Sequence, residues 1–416
     1  MPEALKGTGG ADSATAATAA TAAAAPSQSF NLGLFFFAYY AHAGTFATYA
    51  SLFFAARGMS AAQIGILMSL IQVMRIFGPN LWGWVADHTR RRVLVLRLTA
   101  MGALVSFGGI FLGQSFGHFF AAMVLLNLFT SAQGPLSDAV MLSSLRGDLA
   151  NFGRVRLWGS AGFVAAVMAA AYGLEWYGVD ALPWIAGLML LFVVLASLRL
   201  REAPPAAAGE AAAPLWSVLR QPAVLAFFAS TALMVSAHTS LYVFYSLYLE
   251  REGYGKPVIG AMWSLGVLAE IVFFYFQGAL FRRFGVRRVL MVSFGVALLR
   301  FAVVGAGGHS LALLVFAQLL HAFTFAAHHS ASVVTMQRWF AGPLQARGQA
   351  LYMSVAYGVG GTLGGLLMTL CWERAGPDSI FVAAAVLSLA GGVVAALSLR
   401  WQDRADQTRL AAVSSS

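Results

Sequence analysis

The stretch Gly83-Trp84-Val85-Ala86-Asp87-His88-Thr89-Arg90-Arg91-Arg92 decides how the rest of the chain is read. One acid, one histidine and three consecutive arginines stand between a mainly apolar run that begins at residue 61 and another that occupies 93–113. Each run has about the 20 residues that a helix needs to cross the hydrocarbon core of a bilayer. A short basic turn between two such runs has the character of a cytoplasmic loop between membrane helices.

Working outward, the same alternation continues along the chain. Apolar runs at 30–56, 61–86, 93–113, 118–146, 154–175, 181–199, 223–249, 256–281, 289–308, 310–338, 346–372 and 379–399 predict twelve spans. The composition agrees: 59% of the 416 residues are hydrophobic, 10% are charged, and the mean hydropathy is +0.75. Soluble domains carry roughly 25% charged residues, so a soluble enzyme and a disordered chain are excluded. Cys371 is the one cysteine, which excludes a disulfide scaffold and a cysteine-built metal site. The predicted fold class is an all-α integral membrane protein of twelve transmembrane helices.

The expected organisation is a disordered cytoplasmic tail over 1–29, an N-terminal six-helix half over 30–199, a central cytoplasmic linker over 200–221, a C-terminal half over 222–400 and a cytoplasmic tail over 401–416. The Ala/Thr/Ser-rich start lacks the strongly apolar core of a signal peptide. With both termini inside, 20 of the 26 Lys and Arg residues fall on the cytoplasmic side and four outside, while Arg75 and Arg300 lie within spans. This is the asymmetry of the positive-inside rule. It explains the net charge of +10 without nucleic acid. The expected setting is the inner (plasma) membrane of a bacterium, and the expected oligomeric state is a monomer.

The two halves repeat. A shift of 195 or 196 lays His42 on His238, Gly58 on Gly253, Ile64-Gly65 on Ile259-Gly260, Gly83 on Gly278 and Arg75 on Glu270. A shift of 191 lays Asn127 on Gln318 and Arg156 on Arg347. Two parallel repeats with a site near midplane between them are the plan of many secondary transporters.

The opening stretch resembles the G-x-x-x-D-x-x-x-R-R loop of the major facilitator superfamily. Its second copy runs from Gly278 to Arg287-Arg288, with Arg282 where the acid is expected. The resemblance assigns conformational gating to Gly83, Asp87, Arg91 and Arg92. Physically, Gly83 permits close helix approach, and Asp87 can sit at a neighbouring helix N-terminus, where negative charge is favoured. Three further stretches resemble the 3-phenylpropionate permease group, which is close to the lactose and nucleoside proton symporters. They are Phe152 to Ser160, Met262 to Glu270 and Leu320 to Phe325. That resemblance implies import of an aromatic monocarboxylate with protons. A sugar, nucleoside or drug as cargo, export rather than import, and a transporter-like sensor or scaffold stay open as alternatives.

Ionisable groups inside a membrane are costly and face a cavity or a partner. Glu270 shares a helix face with Trp263, Gly266, Phe274 and Gln277 by 3–4 spacing. Burial favours a neutral carboxyl group, so Glu270, or Asp138 in its place, is a candidate for proton coupling. A structural pair of Glu270 with Arg300 is the competing reading. Arg75 is a candidate clamp for a substrate carboxylate, because guanidinium grips carboxylates with two parallel donors. Charge balance with Asp138 or Glu270 competes with that role.

Asn127, Ser131, Gly134 and Asp138 make a polar stripe on span four, and Gln318, His321, Phe325, His328, Ser332 and Thr335 make one on span ten. Polar stripes in lipid must face protein or water. His321, with an unperturbed pKa of about 6.5, can relay protons as well as contact substrate. Tyr39, His42, His238, Tyr242 and Trp263 complete the candidate pocket, against a reading as ordinary aromatic packing.

Gly358, Gly360, Gly361, Gly364 and Gly365 read as close helix packing. A nucleotide loop would need a strand–turn–helix context. The adjacent His328 and His329 lack the partners of an H-E-x-x-H motif. No metal, no cofactor and no enzymatic activity is expected. The expected partners are a small carboxylate, protons and lipid.

Overall fold

The computed structural model describes residues 9–145, 149–202 and 215–414, and among these the chain is helical with no strand. The long helices, named here in chain order, are α1 (Gly9–Ala56), α2 (Ala61–Thr89), α3 (Arg92–Phe111), α4 (Phe116–Ser144), α5 (Asn151–Tyr177) and α6 (Val179–Leu198) in the first half. The second half holds α7 (Pro222–Arg251), α8 (Lys256–Phe284), α9 (Val286–Ala306), α10 (Leu311–Gln337), α11 (Arg347–Ala375) and α12 (Ser379–Ser414). Eleven of them, α2 to α12, contain stretches long and apolar enough to cross a membrane. The twelfth, α1, carries Tyr39, Tyr40, His42, Thr45 and Thr48 inside its apolar run, which lowers its hydropathy.

The N-terminal tail differs from the sequence reading. Helix α1 reaches back to Gly9, where an unordered tail to residue 29 is expected. The cause is alanine, the strongest helix former, which fills much of 11–25. Helix α12 runs on to Ser414, well past residue 400. Its extension is fastened to its own half: Arg287 Nη1 and Nη2 grip Asp403 at 2.6 and 2.8 Å, and Arg338 Nη2 reaches Asp406 at 3.1 Å. The acid missing at Arg282 in the second copy of the basic loop is thus supplied from α12. Most of the expected central linker lies outside the described residues; a short helix, Leu215–Leu219, precedes α7.

Packing inside each half repeats as the sequence does. Helix α1 packs on α5 and α6, and α7 on α11 and α12. The pairs α3–α4 and α3–α6 have their counterparts in α9–α10 and α9–α12. The turns after α1 and α7 use Gly58 and Gly253 at φ 77° and 88°, a left-handed conformation that glycine enters without a Cβ penalty.

Between the halves, α2 meets α11 and α5 meets α8. These contacts lie toward one end, which carries the turns at Gly58, Gly178, Gly253 and Gly376. The α2 face of Gly65, Ser69, Gln72 and Ile76 packs on Thr369, Gly365, Gly361 and Gly358 of α11. The same face continues into Asn80, Gly83 and Asp87, where it is open: Asn80 and Asp87 are exposed, and a Cβ at Gly83 would meet nothing within 4 Å. The apolar core divides accordingly. One cluster joins the halves at the turn end through Tyr49, Val167 and Ala171 against Ile259 and Met262. A separate cluster, including Leu32, Phe36, Leu96, Leu136 and Val193, holds the arginine-loop end of the first half by itself. The halves are closed at the turn end and parted at the arginine end.

Candidate functional site

The polar centre of the second half is built by α7, α8, α9 and α10. Glu270 Oε1 on α8 lies 2.6 Å from His321 Nε2 on α10. Arg300, fully buried on α9, donates to Ala317 O at 2.9 Å, Thr324 Oγ1 at 3.1 Å and Gln318 Oε1 at 3.1 Å. His238 Nδ1 donates to Met234 O at 2.8 Å, which leaves Nε2 as the acceptor facing Thr324 Oγ1 at 3.2 Å. These groups form one connected network. In place of the Glu270–Arg300 pair that the sequence left as the competing reading, Glu270 pairs with His321. Arg300 instead gives three of its five N–H groups to neutral oxygens of α10.

Arg75 faces this centre from the first half. Its Nη1 donates to Gln72 Oε1 at 3.0 Å, and its guanidinium carbon lies 5.8 Å from the Tyr357 ring centroid on α11. Among the described residues Arg75 forms no ion pair. Its expected alternative partner, Asp138, is taken by Arg156 at 2.7 Å, and Arg156 also donates to Tyr40 Oη at 2.7 Å. The sequence reading counts Arg156 among the cytoplasmic-side cations at the start of the 154–175 run; within α5 it is instead engaged by Asp138 and Tyr40. Tyr242 lies in electrostatic range of Arg75, Glu270 and Arg300, and Tyr39 in range of Arg75, Arg156 and Asp138. The two tyrosines therefore flank the space between the halves.

The other candidates divide. Gln318, His238 and Tyr242 join the network or its wall. Trp263 is anchored next to it, its Nε1 donating to Ser246 Oγ at 3.0 Å and its ring meeting Tyr245 edge to face. His42 is not part of it: Nδ1 donates to Ala186 O of α6 at 3.1 Å, and the ring stacks on Phe46 and meets Phe107 of α3. The shift that pairs His42 with His238 thus pairs a packing residue with a network residue. Asn127 spends its amide on Met123 O of its own helix at 2.8 Å. In the basic loop, exposed Asp87 and half-buried Arg92 stand 3.8 Å apart; Arg90 closes α2 in a left-handed conformation, and Arg91 caps α3 without a side-chain bond.

Two features have no sequence signature. Helices α10 and α11 contain π-helical segments at Ala322–Ala327 and Met353–Gly360. Such widened turns occur often at functional sites. They help bring Tyr352 and Tyr357 against His329 Nδ1, with hydroxyl distances of 3.4 and 3.2 Å. Both widened turns lie inside apolar runs, where residue spacing alone does not reveal them.

This geometry has known counterparts. Residues 29–383 match the MFS_1 like family. The probable 3-phenylpropionic acid transporter of Escherichia coli (strain K12) is 28% identical over 339 residues, covering 79% of this chain and 86% of that protein. The maltose permease of Geobacillus stearothermophilus is 29% identical over 237 residues, 56% of this chain and 60% of that protein. The solved structure of the nucleoside transporter NupG superposes with a TM-score of 0.75 at 18% identity, over 90% of this chain and 98% of that one. At that identity the likeness is one of fold. A family match that runs from the start of the first apolar run into α12, on two repeated six-helix halves, makes this chain a member of the MFS_1 like family of membrane transporters.

Proposed function

We propose that the protein takes up a small aromatic carboxylate such as 3-phenylpropionate together with protons, by alternating access. The observation that carries the reading is the unbalanced charge between the halves. Arg75 lacks an acidic partner among the described residues, while the facing carboxylate, Glu270, is held by a histidine. A substrate carboxylate supplies the missing partner. Guanidinium binds it with paired donors, and the tyrosine walls suit an aromatic body. The similarity to the probable 3-phenylpropionic acid transporter supports the cargo class. By the positive-inside rule the arginine end is cytoplasmic; the parted halves then correspond to an inward-open state.

In the coupling step, Glu270 and His321 share the carried proton. Binding and release change the charge that the second half presents to Arg75 and to the substrate. The experiment is uptake of labelled 3-phenylpropionate into vesicles with and without an imposed proton gradient. Accumulation above equilibrium only with the gradient is expected. Accumulation that ignores the gradient removes the coupling, and uptake of a nucleoside or maltose in place of the acid removes the cargo assignment.

A further inference from the structure

At the closed end two carboxylates cross from one half to the other. Glu373 Oε1, at the end of α11, accepts from the backbone N–H of Ala62 in the first turn of α2 at 2.8 Å. Glu175 Oε2, at the end of α5, accepts from the backbone N–H of Lys256, the first residue of α8, at 3.2 Å. The two contacts involve corresponding helices, α5 with α11 and α2 with α8. Glu175 and Glu373 each stand three residues before the left-handed glycines Gly178 and Gly376, and the receiving N–H groups, Lys256 and Ala62, lie one position apart in the first turns of α8 and α2. Each half therefore gives one carboxylate and receives one.

The receiving ends are prepared for this. The first turns of a helix hold backbone N–H groups without intrahelical partners and the positive end of the macrodipole. In α2, Ser60 Oγ takes the N–H of Gln63 and leaves that of Ala62 to Glu373. In α8 the capping position is Gly255, which has no side chain to offer, and Pro257 follows without a donor. A Cβ at Gly255 would stand 3.4 Å from Glu175 Oε1. The missing cap of α8 is supplied by the opposite half.

We infer that Glu175 and Glu373 are paired outer latches, each closing the outer gate by capping a helix N-terminus of the opposite half. Separation of the halves at this end breaks both contacts and returns two helix ends to water. The latches therefore bias the protein toward the state open at the arginine end. Both carboxylates are exposed, so each bias is modest, about two- to fivefold in the conformational ratio. The effect is independent of cargo and of proton coupling.

The test is a distance measurement by double electron–electron resonance in lipid nanodiscs. Spin labels go on cysteines replacing Gln114, exposed in the turn before α4, and Leu311, exposed at the start of α10, in a Cys371→Ser background. Glu175→Ala and Glu373→Ala should each raise the long-distance, outward-open population about two- to fivefold, and the double variant by the product. Glu252→Ala is the control: Glu252 pairs with His309 inside the second half and crosses nothing. An unchanged distribution in the double variant overturns the inference. So does an equal shift in Glu252→Ala, which would make the effect one of surface charge rather than of latching.

Discussion

Glu270 of α8 and His321 of α10 hold each other at 2.6 Å, and among the described residues no arginine completes the pair. Arg300 donates to Ala317, Gln318 and Thr324 instead. A carboxyl group facing an imidazole can exchange a proton with it, whereas a carboxylate locked to guanidinium stays charged. Glu270→Gln should abolish gradient-driven accumulation and leave exchange of substrate intact. Counterflow measured beside uphill uptake checks this. Uphill uptake at the wild-type level would exclude Glu270 from coupling.

Arg75→Lys keeps the charge and loses the planar pair of donors. Binding of the acid measured in detergent should weaken by about 1.5–3 kcal/mol, the usual worth of a hydrogen bond to a charged group. Binding of the corresponding uncharged amide should change little. Equal losses for acid and amide would make Arg75 a counter-ion within the fold and not a clamp.

Glycines in two helices separate stability from gating. A Cβ at Gly360 would stand 2.7 Å from the backbone oxygen of Ala232, which cannot rotate away. Gly360→Ala should therefore lower stability by about 1–3 kcal/mol, seen as a reduced melting temperature. At Gly83 the space is empty. Gly83→Leu should melt normally yet transport slowly, because closing the arginine end brings this face of α2 against α11. A melting loss at Gly83 equal to that at Gly360 would contradict the open geometry.

Topology is checked by reporter fusions. A reporter active only in the cytoplasm should give signal when fused after Ser416 and none when the chain is cut near Lys256. The reverse pattern would invert the orientation drawn from the arginine count.

The helices and their pairing into halves were legible because apolar length and arginine placement act locally, residue by residue. Glu270, His321 and Gln318 were legible as well, since a polar atom in an apolar helix stands out at its own position. Partners were not. Asp138 could have balanced Arg75, yet in the fold it pairs with Arg156 of α5. His42 carried the same sequence signal as His238, yet it bonds to the α6 backbone. Which way a buried histidine faces depends on neighbouring helices, and these come from distant parts of the chain. The π-helical turns of α10 and α11 are shaped by packing between helices, so no local pattern records them.

Helix α11 is smooth on two sides. Gly358, Gly361 and Gly365 face α2 of the opposite half, and Gly360 and Gly364 face α7 of its own. A contact made by knobs fitted into holes resists sliding, because each side chain must climb past the next. A glycine face offers nothing to climb. Helix α11 can therefore act as a plain bearing, along which α2 slips while α7 stays in touch. Bulk placed on this face would add friction before it removed affinity, and its mark would be slow reorientation of a transporter that still binds its cargo.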